Sequence, residues 1–386
     1  MSDHAFRYGL FGVGRCGCVH GEILQAQGQR LEAIGDENPE ALAGAVRRLG
    51  LERVATFADA ASMAKTGGID AVVIASHTED HARDAAPFVR AGIPVYLEKP
   101  LTADLGEAFR FVKTLGPQRN LLQIGLQRRF DEALCYAKRL LDERCVGEIR
   151  EIRSILRDQH PPPATYTSRG LIIDMGIHVA DEVLWLTGEF PRTVWARVFH
   201  AKDYHSPIDE GGNTAHVGFT TPAGTICRLD LSRTHSSGYN NETSIIGTKG
   251  TMQIGRFCGY PGPIHVELWT ESGKLHPLSK TFAMTEPPGG FAEFQPRFQK
   301  AYENAHAEFR RAVRAKEDFT VTQLDVLNAQ VVVEAAHRSA VNGGVSYTVA
   351  RSDNVEDFER LCRSQQLLDS HPVSAHEHCG ISQETK

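Results

Sequence analysis

Phe6-Arg7-Tyr8-Gly9-Leu10-Phe11, followed at once by Gly12-Val13-Gly14-Arg15-Cys16-Gly17, decides the fold of this 386-residue chain. The first six residues read as a short buried strand, and a helical pattern then runs through Val19 to Gln27. Three glycines at this spacing permit a tight turn, a close approach of pyrophosphate to the backbone, and close packing of helix on strand. The helix N-terminus then faces the phosphates. The motif carries weight because a strand precedes it and a helix follows. The next strand, Leu31 to Gly35, ends in Asp36, 22 residues after Gly14. An acid there hydrogen-bonds the adenosine ribose and repels the extra phosphate of NADP, so the expected cofactor is NAD. Gly12, Gly14, Arg15, Cys16 and Asp36 are its first expected contacts.

Strand and helix patterns keep alternating outward from that motif. Ala71 to Ala75 is wholly apolar, as a strand covered on both faces should be. Ser76-His77-Thr78 stands at its carboxyl end, and a helix from Glu79 to Arg90 stops at Gly92. Ile93 to Leu97 reads as the fifth strand and runs into Glu98-Lys99-Pro100; a helix near Ala103 to Leu115 and a strand at Leu121 to Gly125 complete the unit. This is a doubly wound α/β domain over residues 1–125. Such sheets bind ligands beyond the carboxyl ends of their strands. Ser76, His77, His81, Glu98 and Lys99 therefore join the expected cofactor edge, with Lys99 where cofactor and substrate meet. His81 falls four residues after His77, but no carboxylate or thiol beside them suggests a metal.

The composition changes after Gly125. A helix opened by Gln127-Arg128-Arg129-Phe130-Asp131 runs through Asp142, and Gly147 to Arg157 alternates as a long strand. Asp158-Gln159-His160-Pro161-Pro162-Pro163 forces an extended segment. Further strands are expected at 194–199, 215–219, 225–231, 243–246 and 264–269. Together they make residues 126–351 an α+β domain with one open, mainly antiparallel sheet. Two helices, near 297–316 and 322–342, end its compact part; they read as core faces and can pack back on the first domain. Residues 352–386 read as a flexible polar tail, in which His371, His376, His378 and Cys379 only weakly resemble a metal tract.

Asp174 and His178 lie four residues apart, on one face if the segment is helical. The carboxylate can hydrogen-bond or charge-stabilise the imidazole, which makes His178 a general base near neutral pH. A buried histidine under a capping aspartate would look the same in isolation, and only the preceding motifs favour chemistry. Asp158, His160, Arg128 and Asp131 are candidate polar partners for a bound substrate.

Bulk properties close off other classes. A formal charge of −6 gives no reason to expect nucleic acid or an anionic membrane, and no apolar run is long enough to span a bilayer. The eight cysteines form no Cys-x-x-Cys pair, so zinc and a disulfide framework are not expected and a reducing, cytoplasmic setting is. Cys16-Gly17-Cys18 reads as small turn residues, because no further soft ligands stand nearby in sequence.

With these motifs together, the chain resembles the Gfo/Idh/MocA oxidoreductase family over about residues 5 to 350. The shared pattern is the glycine motif with a trailing His20, then Glu98-Lys99-Pro100, then Asp174-x-x-x-His178. Within the family it looks most like inositol 2-dehydrogenases and related cyclic-polyol dehydrogenases, through residues 125–131, Arg157-Asp158 with its proline run, and Gly238-Tyr239. The resemblance implies a catalytic set of Lys99, Asp174 and His178, in which His178 takes a hydroxyl proton and Lys99 steadies the alkoxide while NAD accepts hydride. It implies Tyr239 as a substrate contact, Arg128 near both cofactor and substrate, and a homotetramer built through the open sheet, or failing that a dimer. Val179 stands where such relatives carry an acid, and 158–160 departs from their simpler Asp-Pro start. The polyol therefore stays open between myo-inositol, scyllo-inositol, another isomer and a pyranose sugar. A glycosidase using NAD transiently and a non-catalytic NAD sensor are the rival classes.

Overall fold

The computed structural model describes residues 5–160, 168–200, 212–255, 262–270, 277–285, 294–354, 358 and 360. The proline run 161–163 and the readings of the tail from 361 onward lie outside these residues.

The first unit runs β1 (Arg7–Phe11), α1 (Arg15–Ala26), β2 (Arg30–Gly35), α2 (Pro39–Arg48), β3 (Ala55–Phe57), α3 (Ala60–Thr66), β4 (Ala71–Ile74), α4 (His81–Arg90), β5 (Val95–Leu97), α5 (Leu105–Leu115) and β6 (Leu122–Ile124). All six strands are parallel in the order β3-β2-β1-β4-β5-β6, so the strand order reverses between β1 and β4. Every residue of β4 is fully buried, as its unbroken apolar run requires. Local chemistry sets the helix starts: Asn38 accepts from the Glu40 and Ala41 amides ahead of α2, and Asp104 from the Glu107 amide ahead of α5. The helix expected from Glu79 instead opens with a single 3₁₀ turn at Thr78–Asp80.

The second unit adds α6 (Glu132–Asp142), β7 (Ile149–Arg157), α7 (Leu171–Asp174), α8 (Gly176–Thr187), β8 (Thr193–Phe199), β9 (Thr214–Thr220), β10 (Ile226–Ser232), β11 (Asn240–Gly247), β12 (Gly250–Ile254), β13 (Ile264–Thr270), β14 (Leu278–Phe282), α9 (Gln295–Ala315), α10 (Gln323–Val341) and β15 (Tyr347–Thr348). Its nine strands run β14-β13-β12-β11-β7-β10-β9-β8-β15. Every neighbouring pair is antiparallel except β7 with β10. That exception matters: Arg157 pairs with Ser232, so Asp158 and Arg233 leave the sheet at the same edge.

Two expected helices are broken. The segment expected as one helix from Gln127 is a 3₁₀ turn, Gln127–Phe130, and then α6, because Asp131 leaves helical geometry to accept from the Leu134 amide. Asp174 and His178 lie on two successive helices that meet at Met175. The late helices carry contacts to the first unit. On α9, His306 meets His20 and Arg310 meets Gln27; on α10, Gln330 donates to the Thr102 carbonyl. A Thr322/Asp325 capping box starts α10, and Gly343 and Gly344 follow it with positive φ.

The turn at 127–131 joins the two sheets through three buried ion pairs. Arg128 Nη1 donates to Glu182, Arg129 donates through Nε and Nη2 to Asp181 (Nη2–Oδ1 2.6 Å), and Arg297 on α9 donates to Asp131. Glu182 is fully buried and also accepts from Ser154 on β7 and Thr243 on β11. One carboxylate thus ties the turn, α8 and two strands together. Removing it strands a buried guanidinium and takes the acceptor from two buried hydroxyls, which keep only each other. Glu182→Ala should lower the unfolding free energy by about 3–5 kcal/mol in urea titration, whereas a loss below about 1 kcal/mol would make this junction incidental.

Candidate active site

The cofactor loop meets the demands read from its glycines. Gly12 has φ +82°, and a Cβ there would lie 2.2 Å from the Ser76 amide nitrogen. A Cβ on Gly17 would lie 1.9 Å from the Gly12 carbonyl, so helix and loop touch without side chains. A Cβ on Gly14 would meet nothing within 4 Å, and no side chain caps α1 at that residue. Open space over an uncapped helix N-terminus is a cradle for pyrophosphate. Asp36 closes the loop from β2: its carboxylate accepts from the Val13 amide at 2.9 Å and the Asn38 amide at 2.8 Å.

Beside this loop lies a cleft of about 480 Å³, within the usual size of small-molecule sites. It gathers Arg15, Cys16, Ser76, His81, Glu98 and Lys99 from the first unit with Arg128, Asp158, His160, Asp174, His178 and Tyr239 from the second. Of the residues singled out from sequence, Gly12 and Gly14 in the cofactor loop and Asp36 bonded to it lie outside the cleft lining, and two others stand apart. His77 is exposed and outside the lining. Asp131 is buried, paired with Arg297 and capping α6, so it cannot read a hydroxyl. His81 lines the cleft, yet its ring is engaged: Nδ1 lies 2.8 Å from the Pro100 carbonyl and Nε2 3.2 Å from that of Ser76. It ties the end of β4 to the residue after Lys99. Val179 is fully buried and off the cleft, so that departure does not face substrate.

At the centre, Lys99 Nζ lies 3.1 Å from Asp174 Oδ1 and 3.3 Å from the Asp174 carbonyl. The other carboxylate oxygen accepts from Arg233 Nη2 at 2.7 Å. The expected Asp174–His178 hydrogen bond is therefore replaced by two cations on one carboxylate. His178 Nδ1 is buried without a hydrogen-bond partner among the described residues, so Nε2 is its nitrogen open to the cleft. Burial first, then the charges of Lys99 and Arg128, hold the imidazole well below its ordinary pKa, with Asp174 opposing them. Beneath Lys99, Glu98 accepts from the Lys99 amide at 3.1 Å and meets His20 Nε2 at 2.9 Å. Burial favours its neutral form, but His20 and Lys99 hold the carboxyl below the usual range.

Sequence reading missed Arg233, because nothing in the chain announces that β10 runs parallel to β7. It also gave the late helices core faces and no place in the site, whereas Phe298 and Tyr302, one turn apart on α9, line the cleft. The aromatic i, i+4 spacing was visible and the return of these helices onto the first unit was expected, but not which side chains that return would bring to the cleft.

A family model described as an oxidoreductase family with an NAD-binding Rossmann fold matches residues 6–126, and a Gfo/Idh/MocA C-terminal domain matches 135–253. Inositol 2-dehydrogenase of Rhizobium meliloti (strain 1021) is 30% identical over 342 residues, 86% of this chain and 96% of that protein. The chain belongs to the Gfo/Idh/MocA oxidoreductase family. Scyllo-inositol 2-dehydrogenase (NAD(+)) of Bacillus subtilis (strain 168) is 28% identical, over 88% of this chain and 96% of the relative. Among solved structures, scyllo-inositol dehydrogenase from Lactobacillus casei with bound NAD(H) and scyllo-inositol superposes with a TM-score of 0.72 at 26% identity, covering 89% of this chain and 99% of that one. This family member is an oxidoreductase whose cofactor is NAD.

The two loop glycines separate folding from cofactor binding. Gly12→Ala should cost about 1–3 kcal/mol of stability through its positive φ and backbone clash. Gly14→Ala should leave the melting temperature within about 2 °C, since no atom opposes the new methyl, yet weaken NAD about tenfold or more. Calorimetry and NAD titration on both variants check this, and an unchanged NAD affinity in Gly14→Ala would contradict the cradle.

Proposed function

We propose that this enzyme oxidises one ring hydroxyl of an inositol, myo- or scyllo-, to the ketone with NAD. The observation that carries the reading is the cleft's pairing of a lysine with a neutral, cleft-facing imidazole, beside residues able to hydrogen-bond several hydroxyls. Similarity to inositol dehydrogenases along nearly the whole chain supports the substrate class.

Gly12, Gly14, Arg15, Cys16, Asp36, Ser76 and Lys99 would hold NAD, with Asp36 disfavouring the extra phosphate of NADP. When bound, NAD accepts hydride from the carbinol carbon. His178 Nε2 takes the hydroxyl proton as general base. Lys99 Nζ, fixed by Asp174, donates to the same oxygen and stabilises its growing negative charge. Arg233 shares Asp174 and so prevents that carboxylate from neutralising Lys99 outright. Asp158, His160 and Tyr239 would bond the remaining hydroxyls and fix which carbon is presented.

The active unit we propose is a homotetramer assembled through the outer face of the second sheet, with a dimer as the simpler alternative. Trp195, Phe199 and Ile226 are exposed on β8 and β10. The described cysteines are free thiols, consistent with a cytoplasmic setting, and no helix among the described residues is long and apolar enough to cross a membrane.

The direct test is NADH formation with a panel of inositol isomers and pyranoses, run with NAD and NADP. Turnover of an inositol with NAD is the expected result; turnover of pyranoses alone would move the specificity to sugars, and release of an aglycone without net NADH would replace the reaction by glycoside cleavage. His178→Asn should lower kcat by about a hundredfold to ten-thousandfold. The base works only when unprotonated, so kcat/KM is lost as pH falls through the His178 pKa. Because burial, Lys99 and Arg128 depress that pKa, the acid limb should lie below the ordinary histidine value of 6.5. Lys99→Met removes one depressing charge and should move the limb upward while lowering kcat.

A further inference from the structure

Cys16 does not stand alone. Its Sγ, a ring nitrogen of His20 and a carboxylate oxygen of Glu98 all lie within 4.8 Å of one another. His20 and Glu98 are buried, whereas Cys16 is partly open and, with Glu98, lines the cleft. The further ligands absent from the sequence immediately around Cys16 come from one helical turn on, as an imidazole, and from the end of β5, as a carboxylate.

The surroundings orient this trio. His20 Nδ1 lies 2.8 Å from His306 Nε2, leaving Nε2 directed at Glu98. A histidine that binds a metal through one nitrogen almost always gives its other N–H to a neighbouring acceptor, and His306 on α9 is placed to be that acceptor. The 2.9 Å contact between His20 Nε2 and Glu98 needs a shared proton, and a cation can take that proton's place. Three protein ligands of sulfur, nitrogen and oxygen type, with one side open to a cleft, suit a zinc-class ion with an exchangeable fourth position. The thiolate and imidazole disfavour magnesium and calcium.

We infer that Cys16, His20 and Glu98 form a binding site for a soft divalent cation, zinc in kind, and that an ion held there excludes NAD. Binding replaces the Cys16 thiol proton and the proton between His20 and Glu98, and no oxidation state changes. Cys16 stands in the first turn of α1, at the helix end where the pyrophosphate would lie, and Glu98 stands beside Lys99, so the ion occupies space the cofactor needs.

Cobalt(II) alone is the probe, added to the full-length protein freed of NAD. Thiolate coordination gives an intense near-ultraviolet charge-transfer band that carboxylate or imidazole binding does not. The expected result is a band saturating at one equivalent, absent in Cys16→Ser, retained in Cys18→Ser, and bleached as NAD is added. Cys18 serves as the control because its thiol is buried against the Val13 carbonyl. A wild-type protein without the band, or a band surviving in Cys16→Ser, overturns the site. A band indifferent to saturating NAD overturns the exclusion. Because no substrate enters the experiment, its failure is distinct from any failure of the inositol reading.

Discussion

The buried carboxylate of Glu182 holds the two halves of the active site in register. Both partners of its bond to Arg128 are removed from water, so neither can leave without exposing the other as an uncompensated charge. Next to it, Arg129 grips Asp181 in the same way. These acids stand three and four residues after His178 on α8, and the arginines stand just beyond β6 of the first sheet. The base on one unit is thereby fixed against the lysine on the other. Such pairs add little net stability over apolar packing, but they penalise every arrangement in which the units slip.

Within that frame the electrostatics of the cleft follow from a count of charges on one carboxylate. Lys99 and Arg233 share Asp174, so the group leaves a surplus of positive charge beside His178. Burial first, and then the positive charge of Lys99 and Arg128, keeps the imidazole unprotonated. The same surplus favours an oxygen that becomes an alkoxide. The lysine that stabilises the product side of proton transfer also keeps the acceptor ready.

What could be read from the sequence was what local chemistry dictates. The glycine loop, Asp36 at the end of β2, and Lys99 at the end of β5 follow from strand–turn–helix order and from where parallel sheets expose their carboxyl edges. The relation of Asp174 to His178 was half legible: their spacing implied proximity, but the break at Met175 and the claim of Arg233 on the carboxylate depend on strands far apart in the chain. Asp131 looked like a substrate contact because a polar residue in a motif says nothing about burial. Arg297, which buries it, lies 166 residues away. His306 gave no signal at all, since only the return of α9 onto α1 places it behind His20.

The proposed reaction requires one oxygen atom of the substrate to be shared by Lys99 and His178. The most direct measurement is a crystal structure of the protein with NAD and an inositol that cannot be turned over at the reacting carbon. The expected result is one ring oxygen within hydrogen-bond distance of both Lys99 Nζ and His178 Nε2, with Asp174 still bridging Lys99 and Arg233. A ring bound with neither group on its oxygen, or with His178 turned away into the core, would contradict it.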